Sequence, residues 1–143
     1  MWDSSTTKET KMLTDIGCVF CNKVDDDSVL GSTKHHLIYK DKYPVTPGHL
    51  LVIPKRHFGL VCSYFPDEWS DLWKALELAQ RMSCEGSDLV DFNIGVNDGT
   101  AAGQTINHCH WHIIPRRYDD GGLPCGIRNV FPDVADYRKD LTD

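Results

Sequence analysis

The sequence predicts an α+β domain, a mainly antiparallel sheet with one principal helix packed on it. Three observations predict this: one stretch of helical period from Pro66 to Met82, runs of alternating apolar residues on either side of it, and turn residues punctuating the rest. A chain of 143 residues with 41% hydrophobic content supports one core and is too short for two ordinary domains. Residues 16–143 therefore read as a single domain. Residues 1–15, rich in Ser, Thr, Lys and Asp without apolar periodicity, read as a mobile tail. Residues 116–143, punctuated by Gly121, Gly122, Pro124, Gly126 and Pro132, read as an irregular C-terminal extension.

In chain order, Thr33 to Tyr39 predicts the first strand, and Asp41 to Gly48 a loop whose prolines cannot join a central ladder. His49 to Ile53 predicts the next strand, ended by Pro54. From Pro66 the spacing of Trp69, Leu72, Trp73, Leu76, Ala79 and Met82 forms one stripe, with the tryptophans expected as a ridge of the core. Pro66 suits the first helical turn, and Asp67 and Glu68 suit the positive end of the helix dipole. Val90 to Val96 and Ile106 to Ile114 then alternate as strands, separated by the polar loop Asn97 to Thr105.

The formal charge of −6 and pI near 5.5 exclude a basic stripe for nucleic acid, so any phosphate recognition must be local. The N-terminus carries no apolar run of the signal-peptide kind, and no stretch approaches the roughly 20 apolar residues of a membrane span. The expectation is a cytoplasmic protein without membrane or nucleic-acid partners. In that setting the 6 cysteines read as thiols or metal ligands rather than a disulfide framework.

On a strand through Ile106–Ile114, His108, His110 and His112 point one way, and Cys109, Trp111 and Ile113 the other. Such a row can bind metal or perform phosphate chemistry; chance enrichment would not alternate with Trp and Ile. The preceding loop, from Asn97 through Gly99, Gly103, Gln104 and Thr105, favours phosphate, because glycines let backbone N–H groups approach an anion and Gln104 and Thr105 add neutral donors. A neutral His110 can then act as nucleophile while a protonated His112 donates to a phosphoryl oxygen. A backbone carbonyl holding one ring N–H of His110 would free the other nitrogen for attack.

The run Ala102-Gly103-Gln104-Thr105-Ile106-Asn107-His108-Cys109-His110-Trp111-His112-Ile113-Ile114-Pro115-Arg116 resembles the signature of the histidine-triad (HIT) superfamily, and Pro47-Gly48-His49-Leu50-Leu51-Val52-Ile53-Pro54-Lys55-Arg56-His57 resembles its second signature strand. The likeness spans roughly Gly17 to Arg116. It implies a HIT-like fold, a homodimer in which two sheets join, and a covalent nucleotidyl intermediate on His110, with His112 contacting the phosphate. It further implies that Gln104 and Thr105 hold the phosphate chain and leaving group, that Asn97 and Gly103 line the same pocket, and that Asp41 binds ribose hydroxyls. By itself Asp41 would read as a solvated loop carboxylate.

Cys18 and Cys21 have zinc-ligand spacing, although two spectator thiols remain open on spacing alone. The resemblance implies that His57 and His108 complete a structural zinc site. Cys62, Cys84, Cys109 and Cys125 suggest no site, and His35 and His36, adjacent on a strand, would face opposite sides, neither of them catalytic. The third triad histidine separates the chain from the uridylyltransferase branch, and Pro115-Arg116 resembles the dinucleoside polyphosphate hydrolases. The function implied is hydrolysis of a phosphoanhydride or phosphoramidate at the ribose-proximal phosphorus of a small-molecule nucleotide, either a dinucleoside polyphosphate, the branch that Pro115-Arg116 favours, or a nucleoside phosphoramidate. A phosphorylase or nucleotidyltransferase, and a non-enzymatic nucleotide-binding regulator, are the alternatives.

Overall fold

The computed structural model describes residues 17–23, 27–84, 91–122 and 126–130. The expected N-terminal tail, Val90, Cys125 and most of the C-terminal extension lie outside those residues. Among the described residues the strands are β1 (Val29–Ser32), β2 (His36–Lys40), β3 (Leu50–Pro54), β4 (Asp91–Val96) and β5 (Trp111–Arg116), with one helix, α1 (Pro66–Ser83). They form an antiparallel sheet in the order β1-β2-β3-β5-β4, so the class is the expected α+β.

Period-2 alternation gives each strand two working faces. Ile38, Leu50, Val52 and Ile113 meet Leu72, Ala75 and Ala79 of α1 in one buried cluster. On the other face Tyr39, Leu51 and Ile53 pack with Cys18 and Phe20. Because both faces are covered, all of β3 is buried. Pairing aligns Tyr39 with Leu51 and Leu51 with His112, so His112 belongs to a cross-strand row on the face away from the helix. Gly95 continues that row on β4 beside His112.

The segment predicted as a strand over Thr33–Tyr39 is split. The Thr33 N–H donates to the His36 carbonyl at 2.9 Å, closing a turn between β1, which sequence reasoning missed, and β2. The turn is tied down from α1: the Asp71 carboxylate accepts from the Thr33 hydroxyl (2.6 Å), the His35 N–H (2.9 Å) and His36 Nδ1–H (2.9 Å). The other nitrogen of His36 accepts from the Tyr64 hydroxyl at 3.0 Å, which in turn accepts from Trp111 Nε1–H at 3.2 Å. Burial holds His36 below its ordinary pKa in spite of Asp71, so it is a neutral polar link between β2, α1 and β5.

The α1 N-terminus follows its signals: Pro66 is the first residue, and the Glu68 carboxylate accepts the Phe65 N–H at 2.9 Å. Glu68 also receives both donors of a forked Arg56 at 2.8 and 3.0 Å, and the guanidinium lies 3.8 Å from the centre of the Phe65 ring. The stripe itself differs from expectation. Leu72, Ala75 and Ala79 are buried, but Trp69 is 52% exposed and Trp73 60%, so the tryptophans form an outward face, not a core ridge. Small alanines let the helix sit close to the sheet, and two indoles in their place would hold it off.

The predicted strand Ile106–Ile114 is also shortened. The His108 N–H turns to the Ile106 carbonyl (2.8 Å) and the Cys109 N–H to the Phe58 carbonyl (2.7 Å), and ladder pairing with β3 starts at Trp111. His108 and His110 therefore precede the strand. Their rings nonetheless lie against Phe20 on the sheet face away from α1, while Cys109 and Ile113 pack toward it.

Candidate active site and metal centre

His110 is buried, with 6% of its surface exposed. Its Nδ1–H donates to the His108 carbonyl at 2.8 Å. That contact fixes the proton on Nδ1 and leaves the Nε2 lone pair unprotonated, the tautomer an attacking imidazole needs. The ring lies 5.2 Å from that of His112, centre to centre.

His112 is held by a residue that sequence reasoning had used only to begin a strand. The Val45 N–H donates to His49 Nδ1 at 3.2 Å, so neutral His49 carries its proton on Nε2, 3.2 Å from Asp41 Oδ2 and 3.0 Å from His112 Nδ1. His112 Nδ1 is then an acceptor, and its own proton sits on Nε2. Burial, with the neighbouring His110 and His49, pushes the His112 pKa down to about 4 against the pull of Asp41. The expected imidazolium at His112 is corrected accordingly: a neutral ring with an Nε2–H donor stands there. The signal for His49 was present in the Pro47-Gly48-His49 run, where Gly48 has a φ of 90° that only glycine adopts readily.

Asp41, His49, His110, His112 and Thr105 line one cavity of about 990 Å³, together with an apolar wall that includes Phe20, Tyr39 and Leu51. Asp41 Oδ1 accepts the Tyr43 N–H at 2.7 Å, an Asx turn that holds the loop before β3. Asn97 and Gly103 do not line this cavity. Neither does Gln104, whose Oε1 accepts the Gly99 N–H (2.9 Å) and whose Nε2 donates to the Gly59 (2.9 Å) and Ile106 (3.1 Å) carbonyls. In this structure Gln104 staples the loop on which it was expected to grip phosphate.

Cys18, Cys21, His57 and His108 converge on a second centre next to the first. Cys18 Sγ lies 3.4 Å from His108 Nδ1, Cys21 Sγ lies 3.3 Å from His57 Nδ1 and 3.6 Å from His108 Nδ1, and the two Nδ1 atoms are 3.2 Å apart. A tetrahedral zinc with bonds of about 2.3 Å to sulfur and 2.0 Å to nitrogen requires N···N and S···N edges of roughly 3.3 and 3.5 Å, so this donor set fits one. The tautomer fits as well: His108 Nε2–H donates to the Pro54 carbonyl at 2.7 Å, which leaves Nδ1 free to ligate. Burial drives the His108 pKa down to about 4, keeping the ring neutral. The four residues could hold a metal ion.

Asp41, His49 and His112 also lie close enough to share an ion, but they fail the same test. With Nδ1 of His49 accepting a backbone N–H, its Nε2 is protonated and has no lone pair for a metal. That cluster is a hydrogen-bond relay.

Residues 22–119 match the HIT domain family model. The chain belongs to the HIT family. Its HIT relatives include the adenosine 5'-monophosphoramidase of Saccharomyces cerevisiae, 34% identical over 85% of this chain and 77% of that protein. The asymmetrical bis(5'-nucleosyl)-tetraphosphatase of Schizosaccharomyces pombe is 38% identical over 62% of this chain, which spans 48% of that enzyme. Among solved structures, one described as a zinc-bound histidine triad family protein from Mycobacterium smegmatis superposes with a TM-score of 0.65 at 35% identity, covering 73% of this chain and 78% of that one. Among the described residues of this HIT protein, no helix is long and apolar enough to cross a membrane.

Proposed function

We propose that this HIT protein is a nucleotide hydrolase acting through a nucleotidyl-histidine on His110, with dinucleoside polyphosphates as its substrates. The observation that carries the reading is the His110 Nδ1–H bond to the His108 carbonyl, which presents an unprotonated Nε2 in a cavity shared with Asp41 and His112. Nε2 attacks the ribose-proximal phosphorus, the bond from that phosphorus to the leaving group breaks, and the leaving group departs with the bonding pair. His110 keeps its Nδ1 proton and becomes a cationic phosphoimidazolium, which the His108 carbonyl stabilises. Water then attacks the same phosphorus, the P–N bond breaks, the monophosphate leaves, and a proton passes to solvent. His112 Nε2–H and Thr105 steady the phosphoryl oxygens, and Asp41 takes the ribose hydroxyls.

A volume of about 990 Å³ lies at the upper end of small-molecule sites, which favours a substrate with more than one short phosphate. The similarity to a tetraphosphatase points the same way. Asn97, Gly103 and Gln104 belong to this reading only through movement of their loop on substrate binding. Cys18, Cys21, His57 and His108 would hold zinc, which would supply structural cross-linking of the N-terminal segment to the sheet. A homodimer fits the outward Trp69 and Trp73 and the terminal place of β4 in the sheet of the described residues, and a cytoplasmic setting fits four such thiol and imidazole donors.

With a dinucleoside polyphosphate in ¹⁸O-water, the label should enter the nucleoside monophosphate released by the second step and not the other product. His110→Ala and His110→Gln should both lose several orders of magnitude in turnover. Label in the other product, or turnover at the parent rate in both variants, refutes the reading. Comparing products with and without inorganic phosphate separates hydrolase from phosphorylase.

A further inference from the structure

The two residues between the metal-binding cysteines are part of the nucleotide cavity. Val19 and Phe20 line it, while Cys18 and Cys21 on either side point into the metal centre. Phe20 is 7% exposed and holds three rings at once: His110 at 5.2 Å between centres and 64° between planes, His108 at 5.8 Å and 86°, and Tyr39 at 6.2 Å and 56°. Both histidines meet it edge to face, the favourable geometry for stacked aromatic systems. A second path joins the same two sites through the backbone: His108 offers Nδ1 to the metal centre and its carbonyl to His110 Nδ1–H.

The turn carrying Phe20 runs into a short 3-10 helix and is not a strand of the sheet. Cys18 reaches His108, 90 residues further along the chain, and Cys21 reaches His57, 36 residues further along. Those contacts, with the burial of Phe20, set where the cavity wall stands. Without a bound ion, the thiol–imidazole contacts among these four donors are themselves only weak hydrogen bonds.

We propose that the Cys18–Cys21 turn couples metal occupancy to nucleotide affinity, with Phe20 as the positioning residue that transmits it to His110. The proposal rests on the nucleotide reading above. A metal bound by the four donors fixes the wall and the His110 ring before the nucleotide arrives, so the nucleotide need not order them. Thermodynamic linkage makes the effect reciprocal: a nucleotide seated against Phe20 must hold the metal more tightly by the same factor.

The test uses the full chain loaded with zinc and adenosine monophosphate as probe. Zinc affinity is measured by equilibrium competition with a chromogenic chelator, with and without the monophosphate, and monophosphate affinity by calorimetry on loaded and chelator-stripped protein. Saturating monophosphate should tighten zinc binding about 5-fold or more, and stripping should weaken monophosphate binding by the same factor. Phe20→Ala, which keeps all four donors, should still bind zinc but lose most of the tightening, and Phe20→Leu should retain part of it. Where the stripped chain unfolds, the Phe20→Ala comparison decides, since coupling through global folding alone would survive that substitution. Unchanged zinc affinity with the monophosphate bound, or full coupling in Phe20→Ala, overturns the coupling and leaves the hydrolase reading standing. Failure of the loaded protein to bind the monophosphate overturns both, and failure to bind zinc overturns the coupling alone.

Discussion

Replacing Asp71 tests how α1 and the sheet are locked together beneath the active site. Its carboxylate accepts three donors, from Thr33, His35 and His36, the last on a side chain with no exposure to solvent. Burial works to raise the Asp71 pKa, but those hydrogen bonds outweigh it and bring the value down to about 2 from an ordinary 3.8. That depression corresponds to about 2 kcal/mol of stability at neutral pH. It is fully present above pH 3.8, falls to about half by pH 3, and disappears below about pH 2. Asp71→Asn should therefore cost about 2 kcal/mol at pH 7. Asp71→Ala, which also strands the His36 N–H, should cost about 3–5 kcal/mol, or roughly 10–15 °C in Tm. His36 adds a slope of its own: burial lowers its pKa, so the unfolded chain takes up a proton that the folded one resists, and stability falls as pH drops below 6.5. Without the Asp71 charge that opposes this, the slope should steepen. Urea unfolding from pH 7 to pH 3, at unchanged m-value, reads both effects. An Asp71→Asn protein as stable as the parent at pH 7, or one whose stability falls no more steeply than the parent's just below pH 6.5, refutes the reasoning.

Cys18→Ser should bring zinc content below one equivalent by elemental analysis and lower Tm by at least about 5 °C, since metal binding adds directly to folding free energy. Gln104→Ala should cost about 1–3 kcal/mol through the N–H and carbonyl groups it leaves unpaired, measured by thermal unfolding, and should raise KM for a dinucleoside polyphosphate as the loop loosens. Combined Trp69→Ser and Trp73→Ser, at side chains more than half exposed, should leave Tm of the monomer nearly unchanged while shifting a light-scattering mass from dimer to monomer.

Much of this architecture is legible in the chain because local pattern and tertiary role agree. β3 reads as a strand from its apolar run, and α1 begins where Pro66 and Glu68 say it should. The failures have physical causes that act at a distance. β1 is four residues long and contains Gly31, too little for a periodic signal, and the turn beside it exists because Asp71 collects its donors from a helix far along the chain. The stripe on α1 misleads because large apolar residues at helical spacing read alike whether they meet this sheet or face outward. Ala75, fully buried against the sheet, occupies a position where close approach of the helix needs a small side chain instead of bulk. In the site, residue types and spacing announce the imidazoles and thiols but not the protons they carry. Those are set by the carbonyls of Pro54 and His108 and the N–H of Val45, backbone groups contributed by three separate segments. Each decides which nitrogen of a neighbouring ring is free: for a metal at His108, for phosphorus at His110, and for the relay from His49 to His112. A substitution that shifts one of these backbone groups would thus change the chemistry while every catalytic side chain stayed in place.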